Sequence, residues 1–164
     1  MLQHAVRLLS MLIVAVGLMM SGYGAAGAAE NGIVRTKSIY PMAETIQRIK
    51  DDVAAKKIMF FDEIDQAKLA AGAGIKLNPS ALLIFGNPPL GIQFLTSNAN
   101  SGIDWPVRLL VYQDDKGQVW TVYNDFGWIA RRHQIKNRAA AFKMASEVIA
   151  SIVSSVSAQQ KAQK

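Results

Sequence analysis

Cysteine is absent from this chain of 164 residues, and that single absence removes disulfides, thiol nucleophiles, iron–sulfur clusters and thiolate zinc sites together. Histidine is nearly absent: His4 and His133 are the two copies, and His4 falls in an N-terminal stretch with the marks of a leader, so His133 is the one imidazole left to a folded domain. Charge is sparse at the N-terminus as well. Arg7 is the single Asp, Glu, Lys or Arg among residues 1–29, and without it 17 Lys and Arg face 12 Asp and Glu. That surplus favours anionic surfaces and ligands. The cations do not gather into the dense stripe of a DNA-binding domain, and an exported chain has no genome to meet, so nucleic acid is set aside as a partner.

Arg7, the apolar run Leu8 to Met20 and the small residues ending in Ala26-Gly27-Ala28 form the three parts of a secretory signal. Residues 1–29 therefore read as a signal peptide, with the cut expected after Ala28 and a periplasmic or secreted product. The other reading of the same stretch is an N-terminal anchor in the inner membrane, since Leu8 to Ala29 is uncharged over about the length of a membrane span. Ser21 to Gly27 is small and weakly apolar, which suits a cleavage region better than a bilayer core. With one arginine and no cysteine, neither a twin-arginine signal nor a lipoprotein attachment site is available. Residues 30–157 are then one domain, long enough to bury a core, and 158–164 form a polar tail.

Along that domain, Ile33 to Ser38 alternates as a first strand. Pro41 opens a helix at its first position, with Met42, Ile46, Ile49 and Val53 on one stripe. Ile58 to Ile64 reads as a second strand and Asp65 as the cap of a short helix ending at Gly72 and Gly74. Ala81 to Phe85, apolar without a break, reads as a central strand covered on both faces, after which Asn87 caps a turn or short helix. Asp114-Asp115-Lys116-Gly117 joins Val107–Gln113 to Val119–Asn124 in a hairpin built on a type I turn with a glycine bulge, which sets Tyr112 opposite Trp120, Leu110 opposite Val122 and Arg108 opposite Asn124. Asp125 caps a helix reaching His133, and a last helix carries Phe142, Ala145, Ile149, Ile152 and Val156. Hairpins mixed with helices, without a regular alternation, indicate α+β with a largely antiparallel sheet.

Leu82-Leu83-Ile84-Phe85-Gly86-Asn87-Pro88, Asp104-Trp105-Pro106-Val107-Arg108-Leu109-Leu110-Val111-Tyr112, Tyr123-Asn124-Asp125 and Ala130-Arg131-Arg132-His133 together resemble the domain of unknown function family 302, over about Ile33 to Ile135. The resemblance implies a TBP-like α+β fold, a curved antiparallel sheet with helices on one face, with the C-terminal helix an addition, and it implies a homodimer. It implies no activity. The sequence departs from the family at Gln66, where histidine often follows the aspartate, so any chemistry that relied on that histidine is in doubt.

The second face of the sheet is apolar and lacks enough helices to hide it, which marks an interface or pocket. Arg108, Tyr112 and Trp120, with the Asn87 turn, are the residues assigned to a small anionic ligand or to a second copy of the chain. His133 with Asp125 supplies the alternative, an envelope enzyme using them as acid or base while Arg108 holds an anionic substrate. No nucleophile, base and oxyanion set completes it, and a cation is favourable at a helix C-terminus in any case. Asp62, Glu63 and Asp65 read as a polar strand end with a helix cap, and no metal or cofactor is assigned. Asp125-Phe126-Gly127 repeats a kinase phrase without its glycine-rich loop. Arg131, Arg132, Lys136, Arg138 and Lys143 are either a solvated helix face or a contact for an anionic membrane surface.

Overall fold

The computed structural model describes residues 30–158; the expected signal peptide and all of the polar tail beyond residue 158 lie outside them. The first strand, β1 (Ile33–Lys37), leads through Ser38 to helix α1 (Met42–Ala55). Pro41 stands one position before that helix, at its N-cap, where its carbonyl accepts the Thr45 N–H at 2.9 Å. The buried stripe is Thr45, Ile49 and Val53, while Met42 and Ile46 pack at its margin. Thr45 belongs there because its hydroxyl meets Ser38 Oγ at 2.7 Å, a satisfied polar pair that hydrophobic spacing does not reveal.

Strand β2 (Met59–Asp65) is bulged between Phe60 and Asp62, a device that twists an edge strand away from unwanted pairing. Asp65 ends it and caps α2 (Gln66–Gly72), accepting the Lys68 N–H at 2.8 Å. After β3 (Ser80–Gly86), Asn87 caps α3 (Pro88–Leu95) by accepting the Leu90 N–H at 3.3 Å. A 3-10 helix (Ala99–Asp104) precedes β4 (Val107–Gln113) and β5 (Val119–Asn124). Asp125 then caps α4 (Phe126–Arg132), its Oδ1 accepting the Trp128 N–H at 2.7 Å, and α5 (Ala139–Ser154) closes the fold.

The five strands form one sheet in the order β1-β5-β4-β3-β2, each antiparallel to its neighbours. In the β4–β5 hairpin Tyr112 faces Trp120 and Leu110 faces Val122. Gly117 takes a positive φ of 77°, and the Asp114 N–H reaches the Gln118 carbonyl at 2.9 Å, as a type I turn with a glycine bulge requires. The helices gather on one face, where Ile49, Val53, Phe94, Phe142 and Ile152 pack against Leu83, Phe85, Leu109 and Val111.

That arrangement corrects the expectation for β3. Ala81, Leu83 and Phe85 are buried, but Leu82 and Ile84 on the reverse side are half-buried. The run is apolar on both sides, yet helices cover only one.

Trp105 pins β4 to the start of α3. A Cβ added to Gly91 would stand 1.9 Å from the indole Nε1, and one added to Gly86 would stand 3.2 Å from it. The ring also meets Phe61 edge-on at 6.2 Å between centroids. Gly91→Ala is therefore expected to lower the unfolding free energy by about 1–3 kcal/mol through overpacking. Urea unfolding would show this as a lower midpoint at unchanged slope, and Trp105→Leu in the same chain should restore part of the loss; an unmoved midpoint would mean that the indole does not fill that space.

Candidate functional site

A buried carboxylate at one end of the sheet organises the strongest cluster of polar chemistry. Asp104 is the last residue of the 3-10 helix, and its side chain is 3% exposed. His133, at the C-cap of α4, brings Nε2 within 2.6 Å of Asp104 Oδ2. Arg132, one residue earlier, places Nη1 at 3.1 Å from each carboxylate oxygen. From β4, Arg108 approaches with Nη2 at 3.8 Å from Asp104 Oδ1 and donates to the Ile103 carbonyl. Asn98, which caps the 3-10 helix through its own oxygen, donates from Nδ2 to the His133 carbonyl at 2.9 Å. An ionised carboxylate taken out of water needs such partners, because its desolvation otherwise costs several kcal/mol. Cations ending α4 also match the helix dipole.

Ser101 lies three residues before Asp104, and in a 3-10 helix that spacing puts both side chains on one edge. It is 1% exposed, and its Oγ is the one fully buried side-chain polar atom among the described residues without a partner.

The second cluster is on the open face of the sheet. The Arg35 guanidinium lies 3.6 Å from the centroid of the Trp120 ring and 5.5 Å from that of Tyr112, a cation–π stack across β1, β5 and β4. Trp120 Nε1 donates to Asp114 Oδ2 at 2.8 Å, and Asp114 Oδ1 accepts the Lys116 and Gln118 N–H groups. That indole hydrogen bond, with the two backbone donors and the charge of Arg35, outweighs partial desolvation and lowers the Asp114 pKa from 3.8. Beside it a groove runs between Leu110, Tyr112 and Asp114 of the hairpin and the loop residues Lys76, Leu77 and Asn78. At the end of β5, burial raises the Tyr123 pKa from 10.0, with a further push from the Asp125 charge.

The residues expected to form one site thus divide. Arg108, Tyr112 and Trp120 do share the open face. Asn87 does not: besides capping α3 it lines a small apolar cavity, about 40 Å³, on the helix side with Phe85, Trp105 and Ile149. The pairing of His133 with Asp125 is replaced by His133 with Asp104, because Asp125 spends its carboxylate on the α4 cap. Of the acidic run, Glu63 pairs with Lys50 at 2.7 Å, Asp65 caps α2 and Asp62 accepts the Glu63 N–H. Asp104 was visible only as part of the Asp-Trp-Pro phrase; its imidazole partner is 29 residues away, a separation without a local signature.

Residues 34–154 match the family model described as "Domain of unknown function DUF302", and the chain belongs to that family. A crystal structure of an uncharacterized conserved DUF302 protein from Bacillus stearothermophilus shares the fold with a TM-score of 0.70 at 16% identity, over 76% of this chain and 98% of that one. Among curated proteins, the chain is 34% identical over 110 residues to proteins named fluoride-specific ion channel FluC 1 in Brucella suis and in Brucella abortus. The match takes in 67% of this chain but 43% and 41% of those two, so the chain spans about two-fifths of their length. No helix among the described residues is long and apolar enough to cross a membrane.

Two outcomes follow from the geometry. Asp104→Ala should cost about 2–3 kcal/mol, somewhat less than breaking a fully enclosed pair because both arginines reach solvent, whereas Asp125→Ala should cost about 1 kcal/mol as a lost cap; equal costs in urea unfolding would deny Asp104 its central place. Because the folded-state pKa of Asp114 lies below its ordinary value of 3.8, its contribution to stability is complete above that value and is lost as pH falls through the lowered one. Trp120→Phe removes the leading cause, so the Asp114 carboxyl titration followed by NMR should move upward toward 3.8.

Proposed function

We propose that this member of the DUF302 family is an exported binding and interaction module that pairs with a second copy of itself through the open face of its sheet. One observation carries the reading. Leu82, Ile84, Leu110, Tyr112, Trp120 and Val122 lie side by side on that face, all half-buried, and none belongs to the core that the helices seal. A contiguous apolar face of this kind on an exported domain marks a place where another surface is met.

The charges at the two edges favour one orientation. β1 presents Arg35 and Lys37 on the open face beside Val122 and Trp120, while at the far edge Asp62 pairs across from Ile84 on the same face. A two-fold axis parallel to the strands would lay the basic edge of one copy over the acidic edge of the other, which is the self-complementarity a dimer interface needs. An acid–base role would instead run through His133 and Asp104, and the His133 side chain is 7% exposed.

The similarity to segments of chains named fluoride-specific ion channels favours a second reading, in which the module works beside an anion channel. A host strain lacking this chain should then be more sensitive to fluoride, and unchanged sensitivity would remove that partner.

Light scattering on the mature domain at high micromolar concentration should give the mass of a dimer. Leu110→Glu should give a folded monomer. Asp62→Lys should weaken pairing and the added reversal of Arg35→Glu with Lys37→Glu should restore it; a monomeric parent protein, or reversal without restoration, would overturn the reading or its orientation respectively.

A further inference from the structure

We infer that Arg108 and Arg132, held by Asp104, form a binding site for a small oxyanion, of the phosphate or carboxylate class, at the end of the sheet. The inference deepens the reading of the domain as a binding module and is independent of its pairing with a second copy.

Three features lead to it. Asp104 offers one negative charge and meets two guanidinium groups as well as an imidazole, so the cluster keeps a positive surplus even when His133 is neutral. Arg132 Nη1 and Arg108 Nη2 approach the same oxygen, Asp104 Oδ1, at 3.1 and 3.8 Å, so the two guanidinium groups are neighbours although they come from different elements. Both side chains remain 43–44% exposed. Beyond Arg132 Nη1 and Arg108 Nη2, neither guanidinium donates to a protein group among the described residues.

The buried carboxylate therefore fixes Arg132 through Nη1, the Ile103 carbonyl holds Arg108 through Nη2, and the other donors of both forks are left without a protein partner among the described residues. Guanidinium forks so held are suited to oxyanions with two or more oxygens, because the planar donors match them and little side-chain freedom remains to be lost on binding. Packing adds to that rigidity: the Arg132 guanidinium also lies 5.3 Å from the centroid of the Trp128 ring. Arg131 and Lys136, close to Arg132 and His133 in sequence, exposed and without ion pairs among the described residues, add to the positive charge of this end of the chain's surface. Asp104 would oppose an approaching anion, but its oxygens are enclosed by the three partners and screened by them.

Titration calorimetry of the mature protein with inorganic phosphate and with acetate, at constant ionic strength in chloride, tests this. Saturable binding of at least one of the two is expected. Arg108→Gln and Arg132→Gln should each weaken it by about tenfold or more, the loss of a charge-assisted hydrogen bond, whereas Lys68→Gln, which removes an equal charge from α2, should leave it unchanged. If Arg132→Gln does not fold, Arg132→Lys keeps the charge, removes the fork and should still weaken binding. Vesicles carrying phosphatidylglycerol separate the sources of the oxyanion: retention displaced by phosphate identifies a lipid headgroup, and phosphate binding without retention identifies a free ion. Absence of saturable binding to either ion, or equal losses in Lys68→Gln, overturns the site. Light scattering on the same samples reports pairing separately, so failure of one reading leaves the other measurable.

Discussion

All the large apolar burial in this domain lies between one face of the antiparallel sheet and the helices laid across it. Leu83, Leu109 and Val111 are fully enclosed, and the helix residues Ile49, Val53 and Ile152 close over them. Each such side chain contributes about 1.5–3 kcal/mol when removed from water, and no disulfide is available to supply stability instead. The one-sided core therefore dictates much else. The helices must be positioned by short caps at the strand ends, and Asp65, Asn87 and Asp125 each begin a helix directly after a strand.

The same constraint leaves two places with chemistry to spare. One is the reverse face, where Leu82, Ile84, Leu110 and Val122 continue the apolar rows without helices above them and Arg35 lies over Trp120. The other is the end of the sheet where α4 terminates. There the backbone turns through a 3-10 helix, and a buried carboxylate collects cations from a strand and a helix end. Arg108 belongs to both places, since its strand position puts it on the open face and its guanidinium reaches Asp104. The two proposals thus concern adjoining surfaces with different physics, one apolar and extended, the other polar and compact.

Local chemistry made most elements legible in the sequence. The hairpin followed from one turn whose glycine needs a positive φ, and its register followed from the turn. The three aspartate and asparagine caps were likewise readable, because a cap bonds a backbone N–H only three residues ahead. Where two distant segments had to agree, the reading fell short. Thr45 was passed over on the buried side of α1 because its partner is the hydroxyl of Ser38 in the preceding loop. The bulge in β2 depends on how β3 lies beside it. His133 was matched to Asp125, an acid close in sequence, whereas in space it meets Asp104.

The sequence by itself determined the α+β class, the succession of strands and helices, the hairpin register, the three short-range helix caps and membership of a family, since each rests on spacing within a few residues or on contiguous phrases. Tertiary structure alone decided which apolar face of the sheet is covered, why Gly91 must be small beneath Trp105, and which carboxylate receives the single imidazole among the described residues. The reason is one of range. Caps and turns satisfy neighbouring backbone groups, while a buried ion cluster takes shape only when strand, 3-10 helix and helix end are brought together by the closing of the core.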